Sequence, residues 1–124
     1  MRLAKLTGCA YHVCHVSASE DKSKGLEKSA FGIVGLETAF PLLYAYLVKE
    51  GIITLEKLID LMCNNPRKRF GLKDEGFCAW SLDEKYKIDN SDFLSMGRAT
   101  PFIGYFVYGK NKLTVYGGKT VYKN

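Results

Sequence analysis

The spacing of apolar and polar residues changes along this chain, and each change marks a different kind of element. Residues 10–17 (AYHVCHVS) are rich in β-branched and aromatic side chains and predict a short buried strand. Residues 18–29 are polar, charged and aperiodic, which predicts a loop. A glycine-punctuated apolar turn follows at 30–35 and leads into a helix over about 36–50. Pro41 is tolerated in the first turns of that helix, Gly51 is its stop, and Leu43, Tyr46 and Leu47 share one face. Thr54 is a good N-cap for a second helix through about Cys63, with Leu55, Leu58, Ile59 and Met62 as its apolar stripe. Asn65-Pro66 then repeats the helix-start signal, and Gly71 closes that short turn.

From Gly76 onward the period shortens. Residues 77–82, 103–108 and 112–116 predict strands, the last two joined through 109–111. Gly117-Gly118 predicts a two-residue hairpin turn into a further strand at 119–122. The fold class is therefore α+β: one or two strands with two or three helices, followed by a small antiparallel β meander. The seam near Gly76 divides the chain into 1–75 and 76–124.

A length of 124 residues suits one ordinary domain. It is too short for a complete eight-stranded α/β barrel, which needs about 250 residues. The apolar share of 47% and charged share of 25% are those of a globular chain. A net charge of +5 permits a polyanionic partner without requiring one. The densest basic cluster, Arg67, Lys68 and Arg69, reads as a solvated helix end. Lysines and tyrosines of the tail, among them Tyr105, Tyr108, Lys110, Lys112, Tyr116 and Lys119, read as structural, so nucleic acid is not an expected partner. Cys9, Cys14, Cys63 and Cys78 form no CxxC pair and are expected as buried free thiols in a reducing compartment. The first ten residues lack the apolar core of a signal peptide. The longest apolar run, 39–48, holds a proline and is too short to span a bilayer. A cytoplasmic protein with no membrane partner is expected.

His12 and His15 are the only histidines. On a strand they point to opposite faces, so a shared metal site is not expected from their spacing. His15 alone reads as an ordinary structural or surface histidine, with a ligand role as the alternative. Ser17 has no nucleophile elbow around it. Glycines at 32 and 35 ahead of a helix can offer backbone N–H groups to an anion, or simply form a tight turn.

Three ordered blocks give more. YHVCHVS at 11–17, KGLEKSAFGIVGLETAFPLLY at 24–44 and NPRKRFGL at 65–72 together resemble the bacterial dihydroorotases of the amidohydrolase superfamily. TPFIG at 100–104 and GGKTVY at 117–122 are similar to the closing β segment of that family. The resemblance implies a partial (β/α) barrel in residues 1–75 and a C-terminal β segment in 76–124. It implies interconversion of dihydroorotate and N-carbamoyl-aspartate in pyrimidine synthesis, with zinc as cofactor. Carried over by position, His15 matches a zinc ligand at a barrel-strand terminus, and Phe31 and Gly32 match the loop that holds substrate through its backbone.

Departures from the family pattern are equally informative. The early His-x-His-x-Arg motif, the bridging acidic ligand, a further ligand histidine and the Asp-His-Ala-Pro-His motif have no counterpart in this sequence. A hydrolytic zinc site needs about three protein ligands and an open position, and without the ion the pKa of water stays far above neutral instead of falling to about 7. The chain alone is thus expected to lack catalytic residues, to bind zinc poorly and to be inactive. A substrate would be handled only on complementation, and the plausible protein partners are another copy or a full-length homologue. A non-catalytic interaction module derived from the family is the alternative reading.

Overall fold

A computed structural model describes residues 6–8, 32–73 and 75–124 of the chain. The predicted strand at 10–17 and the loop at 18–29 lie outside the described residues.

The first helix begins as α1, Ala39–Leu43, and continues through a wider π turn, Tyr44–Val48. Gly51, at φ +71°, lets the chain reverse after it, and the Ile52 N–H bonds back to the Leu47 carbonyl at 2.8 Å. The second helix opens at α2, Leu55–Ile59, where the Thr54 side chain accepts from the Lys57 N–H at 3.2 Å as the N-cap expectation required. It then passes through a π turn, Asp60–Asn64, into α3, Asn65–Phe70, without interruption. Asn65-Pro66 therefore does not start a new helix. Proline has no N–H to give to the preceding turn, and the widened turn just before it lets the Asn65 N–H reach Asp60 instead. Gly71, at φ +63°, ends the rod.

Three strands follow in the order β1 (Gly76–Lys87), β2 (Phe106–Tyr116) and β3 (Lys119–Lys123), all antiparallel. This is the meander read from the sequence, with two differences. β1 runs five residues beyond the expected end at Leu82, and the two expected strands on either side of Gly109 are one strand. Register shifts between Ala79 and Trp80 and between Ser81 and Lys85 absorb the irregularity, so the ladder bends without breaking. Gly117 and Gly118, at φ +55° and +73°, make the two-residue turn that pairs Tyr116 with Lys119. Beside this turn, opposite Tyr116, only glycine fits position 76, because a Cβ there would lie 2.2 Å from the Val115 carbonyl oxygen.

Helix and sheet share one small core. Ala45 from the first helix meets Val107 of β2, with Ile88 and Phe93 from the β1–β2 connection. Val34, Leu42, Tyr86, Phe102 and Tyr108 pack around them. The buried face of the first helix is Pro41 and Ala45, whereas Tyr46, expected inward, is exposed and donates its hydroxyl to the Phe106 carbonyl. Buried Gly109, at φ +88°, lets the Phe40 and Tyr44 rings approach the strand, and Phe40 continues onto Trp80 at a ring separation of 4.5 Å. The tail lysines Lys110 and Lys112 both reach Glu84, and Lys49, at the end of the first helix, sits 4.1 Å from the Tyr108 ring centre. Among the described residues no helix is long and apolar enough to cross a membrane.

Candidate functional site

Of the three residues singled out from the sequence, Gly32 is described, and His15 and Phe31 lie outside the described residues. Gly32 is exposed at φ +84°, a conformation side-chain-bearing residues rarely adopt, and among the described residues a Cβ placed on it would meet nothing within 4 Å.

The turn is held by the segment at 94–100. The Val34 N–H donates to the Ala99 carbonyl at 2.8 Å, and the methyl Cγ2 of Val34 lies 3.0 Å from where a Cβ on Gly97 would sit. Thr38, buried, donates its N–H to the Gly35 carbonyl at 3.2 Å and closes the turn from within. Glu37 then makes the main tie across the gap. Its carboxylate accepts the Leu94 N–H at 2.9 Å, the Ser95 N–H at 3.0 Å and the Ser95 hydroxyl. Partial burial opposes its ionisation, but the Ser95 hydroxyl, the two amides and the Arg98 guanidinium outweigh that and hold its pKa below the ordinary glutamate value. Arg98 in turn donates to the Ser95 and Gly97 carbonyls, and Asn90 donates to the Arg98 carbonyl at 3.3 Å. At the start of the loop the Asp89 carboxylate accepts the Ser91 N–H and hydroxyl, which lowers its pKa.

Glu37 is spoken for by amide hydrogens, so its chemistry is positional. Sequence reading missed it because its partners stand 57 and 58 residues away, and no local pattern announces a contact of that range. The only nearby signal is its place between the glycine turn and the helix start, where an acid is favoured in any case.

No group of three or more His, Cys, Asp or Glu side chains able to hold a metal ion exists among the described residues. Both histidines, Cys9 and Cys14 lie outside them, Cys63 is half-buried and Cys78 is exposed beside Thr114. The described part of the chain does not fit a zinc centre, and no chemical step is assigned through one.

No known family profile matches the chain. Curated proteins do: dihydroorotase from Bacillus cytotoxicus is 45% identical over 120 residues, 90% of this chain and 28% of its own length. Dihydroorotase from Pediococcus pentosaceus is 42% identical over 113 residues, 84% of this chain and 27% of its own. Among solved structures, an L-hydantoinase (dihydropyrimidinase) from Arthrobacter aurescens superposes with a TM-score of 0.72 at 32% identity, covering 84% of this chain and 26% of that one. The chain spans little more than a quarter of the length of each. In sequence and fold the chain is thus similar to about a quarter of a dihydroorotase or hydantoinase.

Proposed function

We propose that this chain supplies the closing part of a dihydroorotase-type enzyme and does not turn over substrate alone. In this reading residues 1–75 form part of the barrel and 76–124 its closing β segment. His15 is one zinc ligand, and Phe31 and Gly32 hold the substrate, dihydroorotate or N-carbamoyl-aspartate, through their backbone, in the cytoplasm. The observation that carries it is the 45% identity to a dihydroorotase over 90% of the chain. The exposed positive-φ turn at Gly32, tied to the loop at 94–100 through the Val34 N–H, supports the substrate-holding role. Inactivity in isolation rests on ligand count: with two histidines and none of the other ligand motifs, the chain falls short of the roughly three ligands a hydrolytic zinc site requires.

The test uses purified chain incubated with zinc and dihydroorotate, with ring opening followed by absorbance and bound metal by elemental analysis. Expected are no turnover above that of a His15→Ala variant and less than one zinc per chain. Turnover by the unmodified chain that His15→Ala abolishes would overturn the reading.

A further inference from the structure

The segment at 94–98 binds a carboxylate. Two successive amides converge on it, the Leu94 N–H on Oε2 of Glu37 at 2.9 Å and the Ser95 N–H on Oε1 at 3.0 Å. The Ser95 hydroxyl donates to Oε1 as well, and the nearby positive Arg98 guanidinium favours the ionised acid. Each oxygen of one carboxylate thus has its own backbone donor. Successive N–H groups aimed together form a concave anion receptor, and hydrogen bonds to an ionised acceptor are the strong kind. The receptor keeps its shape through bonds that do not involve its occupant. Phe93, immediately before it, is buried in the shared core, and Thr100, just after it, is buried too. Between them Arg98 donates to the Ser95 and Gly97 carbonyls, Asn90 donates to the Arg98 carbonyl, and Ala99 accepts the Val34 N–H. A loop anchored at both ends and braced within keeps its donors aimed when the acceptor is taken away. Those donors then lack a partner, and an anion from solution recovers the loss.

We propose that residues 94–98 form a carboxylate-binding site, which this chain fills with its own Glu37 and which takes a free small carboxylate once that side chain is gone. The atoms match: shortening glutamate to alanine removes one methylene and the carboxylate, which are the heavy atoms of acetate. The site asks for charge and for two equivalent oxygens. A neutral amide of the same shape offers one oxygen and sets its own N–H groups against a backbone N–H. In the native chain the tethered acid is always at hand and outcompetes dilute anions, so the site works as a latch. Glu37 lies between Gly35, whose carbonyl accepts the Thr38 N–H, and the start of α1 at Ala39, so the latch joins the loop to the turn that carries Gly32. It involves neither metal nor turnover and stands apart from the enzymatic reading.

Acetate is the probe, added to the whole chain at neutral pH while sodium chloride holds the ionic strength constant, with the amide resonances followed by NMR. In Glu37→Ala the Leu94 and Ser95 amide protons are expected to move upfield of their native positions. Acetate is expected to return both at least halfway and to saturate, whereas chloride and the neutral acetamide leave them in place. The unaltered chain, its site already filled, is expected to ignore acetate. Adding Ser95→Ala to Glu37→Ala removes the hydroxyl donor and is expected to weaken acetate binding roughly tenfold. If the alanine variant fails to fold, Glu37→Gln takes its place: it keeps the side-chain shape without the charge, and at least one of the two amide protons is expected to leave its native position. Four results would each overturn the inference: acetate moving the amides of Glu37→Ala no further than acetamide does, acetate shifts as large in the unaltered chain as in the variant, an acetate affinity indifferent to Ser95→Ala, or a glutamine variant with both amides at their native positions.

Discussion

The two helical segments, 39–48 and 55–70, are both rich in apolar side chains, yet among the described residues it is the first that packs them on the sheet. Ala45 lies in a shared core with Val107, Ile88 and Phe93, and Pro41 is buried on the same face. In the second segment Leu58 alone is fully buried, while Ile59, Leu61, Met62 and Phe70 are exposed. A stripe of Leu55, Leu58, Ile59 and Met62 at helical spacing is a request for a neighbour. The sheet answers that request for the first helix, while the second helix reaches the strands at its end, where the Arg67 guanidinium donates to the Gly76 carbonyl. Periodicity reports that a face is meant to be covered and is silent about which polypeptide covers it.

The sharpest way to break this contrast is to truncate one phenylalanine from each region. Phe93, buried in the shared core, is expected to cost ~3–5 kcal/mol when changed to alanine, since the transfer energy of the ring and the cavity left behind add. Phe70, two-thirds exposed at the end of the rod, is expected to cost under ~0.5 kcal/mol. Urea unfolding of both variants measures the difference, and comparable losses would mean that the rod is as well packed as the core.

Next in size is Gly109→Ala. At φ +88° an L side chain is strained, and the added Cβ would stand 3.1 Å from the Phe40 ring and 3.7 Å from that of Tyr44. A loss of ~1–3 kcal/mol is expected from the backbone term and the displaced rings together. Gly51→Ala has a similar φ but open space around its Cβ, so it isolates the backbone term. Equal losses at the two positions would show that the close approach of helix and sheet at Phe40 contributes nothing.

These positions also show what the sequence made legible. Stops and turns were readable because single residues determine them: Thr54 caps, Gly51 and Gly71 terminate, and Gly117-Gly118 reverses the chain. The α+β order and the meander followed. The continuity of β2 through Gly109 was not readable, because a glycine that ends a strand and one that admits a neighbouring ring have the same local pattern. Nor was the continuity of the rod through Pro66, which depends on a π turn that no residue type encodes. At the candidate site, Gly32 was reached through resemblance to a family, while Glu37 and its tie to Ser95 needed the three-dimensional arrangement.

The sheet side of the comparison also carries a pH signature. Tyr86, packed against the core, has its phenol pushed up to about 12 by burial first, then by the nearby Glu84 carboxylate and Tyr122. An unfolded tyrosine ionises near 10. Between those values the unfolded chain releases a proton that the native state keeps, so stability is complete below pH 10 and falls as the pH rises toward 12. Since the ring is only half-buried, solvent screening reduces the effect to about 1 kcal/mol. Tyr86→Phe is expected to flatten the alkaline limb of the unfolding curve, leaving the smaller contribution of Tyr116, which Glu75 also holds above its ordinary value. An unchanged limb would remove Tyr86 from the account.

The smallest expected effect tests the rod from its start. Thr54 accepts the Lys57 N–H, one of the four amide hydrogens that every helix leaves without an internal partner. Replacing it with alanine is expected to cost about 0.5–1 kcal/mol, the low end of the range for capping residues, because the start of a rod whose Ile59, Leu61 and Met62 are exposed can fray locally without dragging the shared core along. Amide exchange resolves the two cases. Fraying confined to the rod speeds exchange at 55–64 and leaves Val107 and Ile88 protected. Faster exchange across β2 as well would show that the rod and the sheet unfold as one unit, and the exposed stripe would then be the ordinary surface of a fully cooperative domain rather than a face awaiting its neighbour.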